Sequence, residues 1–244
     1  MLLDHVFPRE IAHVQENRIP LVFVGGTVEY HGPHCSYGCD TLIAEGLLRR
    51  LSEKKEILIA PTVSYSPASY AVGDKTSGTV HIPEPAFEAY VYHIFRSLLY
   101  AGHRNIYVLI HHQFEQENEM PMTLSYRMAA KRATMTYLEE TLGEGWWGSE
   151  SYADYYESLG NADDPFSWIK VVPTMSTAVQ NATGYDHAGK YESSLLMALY
   201  PDCVALDRID DKHHWFTESA REANAQLGEE MAALALQHLE SIIV

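Results

Sequence analysis

The chain is short of several things, and each shortage closes off a class of protein. It has three cysteines in 244 residues, Cys35, Cys39 and Cys203. A disulfide framework wants an even number in a short secreted chain, so these read as reduced thiols in a cytoplasmic protein. Basic residues are scarce: 17 Lys and Arg face 33 Asp and Glu, a formal net charge of −16. Nucleic acid and anionic membrane surfaces are bound by clustered cations, so neither is an expected partner. No apolar run approaches the ~20 residues that span a bilayer. The opening MLLDHVFPRE has no cationic stretch leading into an apolar one, so no signal peptide is expected. Repeats, low-complexity tracts and linkers are missing as well. With 46% hydrophobic residues the chain can bury a large core, and a single domain over residues 1–244 is expected.

What is there alternates. IPLVFVGG (19–26) reads as a buried strand stopped by two glycines. DTLIAEGLLRRLSEK (40–54) reads as a helix capped by Asp40 or Thr41, with Ile43, Leu47 and Leu51 on one face. EILIAPTVSY (56–65) is a second strand. PEPAFEAYVYHIFRSLLYAGH (83–103) is a helix with prolines at its start, a stripe of Phe87, Val91, Ile94 and Leu98, and Gly102 at its end. NIYVLI (105–110) and FSWIKVVPT (166–174) are further strands, and 191–201 and 219–244 are helical. Such alternation predicts an α/β fold with a central, mostly parallel β-sheet flanked by helices on both faces. Ligands of these sheets sit at the carboxyl ends of the strands.

Histidines and carboxylates collect at those ends. Glu29-x-His31 follows the first strand, with Asp40 nine residues later. IHHQFEQEN follows the third and holds His111, His112, Glu115 and Glu117. GYDHAGKYES holds Asp186, His187 and Glu192, and DKHHW holds His213 and His214. The first three segments together suit a pair of divalent ions. Two ions ~3.5–4 Å apart share a hydroxide and make it a nucleophile at neutral pH. Glu29 and His31 point the same way on an extended segment, each toward a different ion, and Asp40 is placed to bridge. Tandem His213-His214 reads as solvated. His103 reads as a helix C-terminal decoration, where a cation is favoured. His5, His13, His81, His93 and His238 receive no role. VGGTVEYHG lacks the G-x-G-x-x-G spacing and no G-K-[ST] loop is present, which argues against a dinucleotide or phosphate site.

VGGTVEYHGPHCSYGCDTLIAEGLLRRL resembles the opening motif of the creatininase (creatinine amidohydrolase) family, with Glu29, His31, Gly32, His34, Asp40 and Thr41 in register. SGTVHIPEPAFEAYVYHIFRSLLYAGHRNIYVLIHH resembles the family's central stretch, and DHAGKYESSLLMALYPD its H-A-G-x-x-E-T-S signature. The three blocks run in order over roughly residues 20–205. The resemblance implies an α/β fold with a two-metal hydrolytic site, often in homohexamers. It places Glu29 on one ion and His31 on the other, with Asp40 bridging. His112 is the strand-end ligand, with His111 standing where the family has Gly. Glu192 is the remaining ligand, and His187 is a proton shuttle. His34 would orient a ligand. Cys35 and Cys39 are not needed as ligands, since nitrogen and oxygen donors suffice.

The departures bear on substrate. The usual Asn-Gly-His-Gly-Gly-Asn is IHHQFEQEN here, and Phe114 stands where creatininase has a metal-binding Glu, with Glu115 one residue later. The enclosing tryptophans have no aligned counterparts: Trp146, Trp147 and Trp168 lie nearby in sequence, Thr183 stands four before His187, and Ser193 replaces the signature Thr. The aromatic and acidic region 120–170 reads as a packed excursion or oligomer contact, or else as a substrate lid. The implied function is a cytoplasmic, metal-dependent hydrolase in which a metal-bound hydroxide attacks a ring carbonyl of a small cyclic substrate. A cyclic amide comes first. The alternatives are carbon–carbon hydrolysis of a cyclic diketone such as an oxidised inositol, or a non-catalytic metal-binding relative. Donors of this kind suit Zn, Mn or Fe.

Overall fold

The structure, a computed structural model, describes residues 1–160 and 164–244. Among these residues four strands form one sheet: β1 (Leu21–Gly25), β2 (Leu58–Ile59), β3 (Ile106–Ile110) and β4 (Ile169–Pro173). They lie in the order β2-β1-β3-β4, all parallel. Every residue of β1 and β3 is buried, as a parallel sheet covered on both faces requires. Gly25 pairs with Ile110 and Ile110 with Pro173. Three strands therefore end on one line, and the loops that leave them start from a common edge.

The helices are α1 (Pro8–Glu16), α2 (Cys39–Ser52), α3 (Glu84–Tyr100), α4 (Pro121–Leu142), α5 (Thr177–Thr183), α6 (Lys190–Leu199) and α7 (Ala225–Ile242). Alternate strand side chains point to opposite faces. Leu21, Phe23 and Val108 pack against Phe87, Val91 and Phe95 of α3 and Tyr126 and Ala129 of α4. Val22, Val24 and Leu109 pack against Ile43 and Leu47 of α2, Leu195 of α6, and Met231 and Ala235 of α7. Each large apolar side chain so buried contributes ~1.5–3 kcal/mol. Helices α6 and α7 press together at Gly228, where a Cβ would lie 1.9 Å from the Ser194 carbonyl oxygen. The expected α/β fold is the one adopted.

Several local expectations are corrected. The strand expected over 56–65 stops at Ile59, because Pro61 has no N–H for the ladder. Beyond it, Val63 makes a single bridge to β1: its N–H donates to the Val24 carbonyl at 3.0 Å and its carbonyl accepts from Gly26 N–H at 2.8 Å. The α3 stripe runs through Phe95 and Leu99, with Ile94 and Leu98 only half-buried at its flank. The strand expected from 166 begins at Ile169, after a 3-10 turn at Pro165–Ser167. The last helix starts at Ala225, not at 219, because the Asn224 side chain accepts from Leu227 N–H at 3.0 Å and caps it there. His103 is buried, and burial and neighbouring Arg104 hold its imidazole below the ordinary range, so it is no helix-end cation.

Helix α4, 22 residues, lies inside the region taken as an excursion. It has no single apolar stripe: Ala129, Ala130 and Ala133 pack on the core beside Met122 and Tyr126, while Leu124 and Met128 stay exposed. After it come short 3-10 turns in which Trp146 packs edge-on to Tyr152 and Trp147 to Tyr155. Residues 161–163 of that region lie outside the described residues. Among the described residues no helix is long and apolar enough to cross a membrane.

Candidate metal centre

The site begins with a helix that is not capped as expected. Helix α2 starts at Cys39 behind Gly38, with no side-chain cap. Thr41 Oγ1 instead donates to the Thr27 carbonyl at 2.8 Å and accepts from Thr27 N–H at 2.9 Å, tying the β1 loop to the helix. Asp40 is thereby left to face the strand ends. Its Oδ2 lies 3.2 Å from His112 Nδ1 and 3.6 Å from His31 Nε2.

Around Asp40 the donors gather into sets. Glu29, Asp40 and His112 form one, with Glu29 Oε2 3.1 Å from His112 Nδ1. Asp40, His111 and Glu192 form a second, with His111 Nε2 3.3 Å from Glu192 Oε1. His31 Nε2 is 3.5 Å from Glu192 Oε2. It joins Glu29 and His187 in a third set, and Cys39 and Glu192 in a fourth. Within each set the ligand atoms lie within 4.8 Å of one another.

These donors fit divalent cations on two grounds. Glu29, Asp40 and Glu192 are three carboxylates buried to 2%, 4% and 7% exposure, and the ion-pair partners shown for them are all histidines. Burying that much charge is costly without a cation. The second ground is His31. Its Nδ1 donates to the Glu29 carbonyl oxygen at 3.1 Å, so Nε2 is turned toward the Asp40 and Glu192 carboxylates, 3.6 and 3.5 Å away, and has no hydrogen-bond partner. A ring nitrogen committed to a backbone carbonyl while the other faces carboxylates is how metal-binding histidines are oriented.

The electrostatics follow. Burial lowers the His112 imidazole, but the Asp40 and Glu29 carboxylates outweigh it and hold it up at about 10. Burial likewise disfavours charge on His31, while Glu192 and Asp40 raise it well above the ordinary range. Burial raises Asp40, yet His31 and His112 hold it well below the usual carboxylate value, and His31 and His111 do the same for Glu192.

Glu192 is aimed by a tight turn. Asp186 accepts from Tyr191 and Glu192 N–H at 3.0 Å each and starts α6, while Ala188 N–H donates to Glu192 Oε2 at 2.6 Å. His187, in the same turn, packs tilted against the His31 ring at 4.3 Å and sits 3.3 Å from the Tyr30 carbonyl oxygen. His34 is buried, with Nε2 3.0 Å from Ser193 Oγ, and belongs to none of the donor sets. Glu115 is exposed; it lines the cavity but belongs to no set either.

A cavity of ≈ 320 Å³ opens over the cluster. Phe114, Met175, Gln180 and Tyr185 line it together with His111, His112 and His187, and no tryptophan does. Trp168 stacks on Arg104 at 4.6 Å instead. Two residues of the site were not singled out from the sequence, and a third was assigned to solvent. Thr174, the first residue after β4, places Oγ1 2.7 Å from His111 Nδ1. The strand-end rule that found His111 applies to it equally. Gln180 donates to the Phe114 and Met175 carbonyls and accepts from Gln116 N–H. His214, half of a pair read as solvated, hydrogen-bonds Tyr30 Oη at 3.0 Å and stacks on Phe216, which packs on His187. Of the pair, His213 is the one at the surface.

Comparisons with known proteins agree with this fold. The creatinine amidohydrolase of Pseudomonas putida is 26% identical over 205 residues, 82% of this chain and 72% of that one. Two solved creatininases, a mutant of Zn–Zn type and a manganese form, superpose with TM-scores of 0.68 and 0.67 at 20% identity, each covering 99% of this chain and 96% of the other. The family model Creatininase, creatinine amidohydrolase, matches residues 8–243. A match of that length, over this fold and this strand-edge cluster, makes the chain a member of the creatininase family.

Proposed function

We propose that the chain is a divalent-metal-dependent hydrolase that opens a small cyclic amide. The observation that carries this is the pose of His31, whose buried, unpartnered Nε2 faces Asp40 and Glu192. Glu29, Asp40 and His112 would hold one ion. His31, Asp40 and Glu192, with His111 beside them, would hold a second, Asp40 being common to both. The zinc and manganese forms of solved creatininases support either metal. Such ions, when bound, supply Lewis acidity and lower the pKa of water toward neutrality.

The chain's own groups do the rest. The His187 Nε2–H donates to the Tyr30 carbonyl, which leaves Nδ1 free to take a proton and pass it on. Water adds to the ring carbonyl, the carbon–nitrogen bond breaks, and His187 protonates the departing nitrogen. Phe114 and Met175 narrow the cavity, and Tyr185 and Asn118 offer polar contacts at its mouth. Exposed Leu124, Met128 and Met135 on α4 support a homo-oligomer. Three free thiols suit the cytoplasm.

Elemental analysis of protein purified without chelator tests the reading, followed by a screen of cyclic amides. About two equivalents of Zn or Mn per chain, with ring opening that needs them, is the expected result. Near-zero metal that added Zn or Mn fails to restore would overturn it.

A further inference from the structure

Cys39 is the first residue of α2 and is completely buried. Part of its surroundings is ordinary core, shared with Ile43 and Leu47. The rest is not. Its sulfur, His31 Nε2 and a Glu192 carboxylate oxygen lie within 4.8 Å of one another, and all three residues are buried. Independently, His31 Nε2 is a buried nitrogen with no hydrogen-bond partner, turned into this space because Nδ1 is committed to the Glu29 carbonyl. A cation held by that nitrogen would lie within reach of the thiol.

The two halves of the centre thus differ in donor chemistry. Glu29, Asp40 and His112 offer two oxygens and a nitrogen. His31, Glu192 and Cys39 offer a nitrogen, an oxygen and a sulfur. We infer that Cys39 is a thiolate ligand on the His31–Glu192 side, which makes that half a soft, zinc-selecting position beside a harder one. The inference rests on the proposed metal-site reading. On binding, the Cys39 S–H bond breaks, the proton passes to solvent, and the sulfur lone pair forms the bond to the cation; nothing is oxidised or reduced. Cations deprotonate thiols in this way, and sulfur favours Zn over Mn. Cys35, whose thiol lies against Cys39 and 3.5 Å from Ser193 Oγ, belongs to none of the donor sets.

X-ray absorption at the zinc edge of the zinc-loaded full chain tests this without a variant. A sulfur scatterer at ~2.3 Å, about one per two zinc ions, is expected. Loaded with Co(II), the protein should show a near-ultraviolet thiolate-to-metal band. Cys35→Ser keeps the band, whereas Cys39→Ser loses it and weakens zinc at one position by at least about 10-fold. A loaded wild-type protein with no sulfur scatterer overturns the Cys39 assignment and leaves the metal-site reading standing. A band lost in Cys35→Ser and kept in Cys39→Ser overturns it too, in favour of the other thiol. A chain that takes up neither zinc nor cobalt overturns both readings.

Discussion

Two loops leave adjacent strands and meet over one cluster, yet they are built differently. The loop after β1 is buried almost throughout: Thr27, Glu29, Tyr30, His31 and His34 all lie inside. It is tied to α2 through Thr41, and to the 3-10 segment Trp215–Glu222 by the close approach of Gly32 to Thr217. The loop after β3 starts buried at His112 and then turns outward, with Glu115, Gln116 and Glu117 exposed. It places three non-glycine residues, Gln113, Gln116 and Glu117, in the left-handed region. Backbone of that kind costs ~1–2 kcal/mol per residue and persists where the surroundings enforce it; here the Gln180 side chain clamps the loop at Phe114 and Gln116. The first loop is buried and held from two sides. The second borders the cavity, where a change of residue alters what fits.

Replacing the residue common to both donor sets is the hardest test of that contrast. Asp40→Ala should cut metal affinity by at least about 100-fold and abolish turnover with it, as elemental analysis and assay together would show; retention of full metal would remove Asp40 from its shared role. His187→Gln should keep the metal and slow ring opening by about 10²–10⁴-fold, seen in kcat with metal content unchanged.

Proton linkage separates the loaded from the stripped protein. In metal-free protein His112 is held up at about 10, so its charged form stabilises the fold. That stability is complete below the unfolded pKa of about 6.5 and is lost as pH rises through about 10. Denaturation of stripped protein should therefore become easier from neutral to alkaline pH, with no such fall in loaded protein. Metal uptake should release protons, read as a buffer-dependent heat in calorimetry.

The backbone gives the two smallest effects, of opposite sign. Gly32 has φ +73° with the Thr217 methyl 2.7 Å from a built Cβ. Gly32→Ala should cost about 1–3 kcal/mol. In the other loop, Gln113→Gly relieves a left-handed residue whose side chain makes no hydrogen bond in the structure. Its gain, less the entropy cost of glycine, is below about 1 kcal/mol, or a rise of ~2 °C in Tm. Equal and like-signed shifts would erase the contrast between the loops.

Much of this was legible in advance, for local reasons. Strands β1 and β3 are uninterrupted apolar runs, and Glu29, His31, His112 and Glu192 stand at fixed short distances from an element end. Helix α4 was not legible, because small alanines and a tyrosine carry much of its packing while Leu124 and Met128 stay in the open. Asp40 and Thr41 were legible as residue types and misread as caps: a helix start offers the same side chains to its own N–H groups and to tertiary partners, and here the partners won. Gln180 gave no signal, since its role depends on carbonyls supplied by distant parts of the chain; Thr174 stands at a strand end as His111 does, but the imidazole it meets lies 63 positions away.

The sequence by itself determined the donor types, their order along the chain and the sheet edge to which they belong, because periodicity and strand ends are local properties. The tertiary structure alone decided which atom of each donor faces which. His112 meets Asp40 across 72 positions of sequence. That meeting depends on the parallel register of β1 with β3 and on how α2 and α6 pack beneath the edge. The same packing drew Cys39 to the side of His31 and Glu192, a neighbourhood set by long-range contacts that no spacing in the chain encodes.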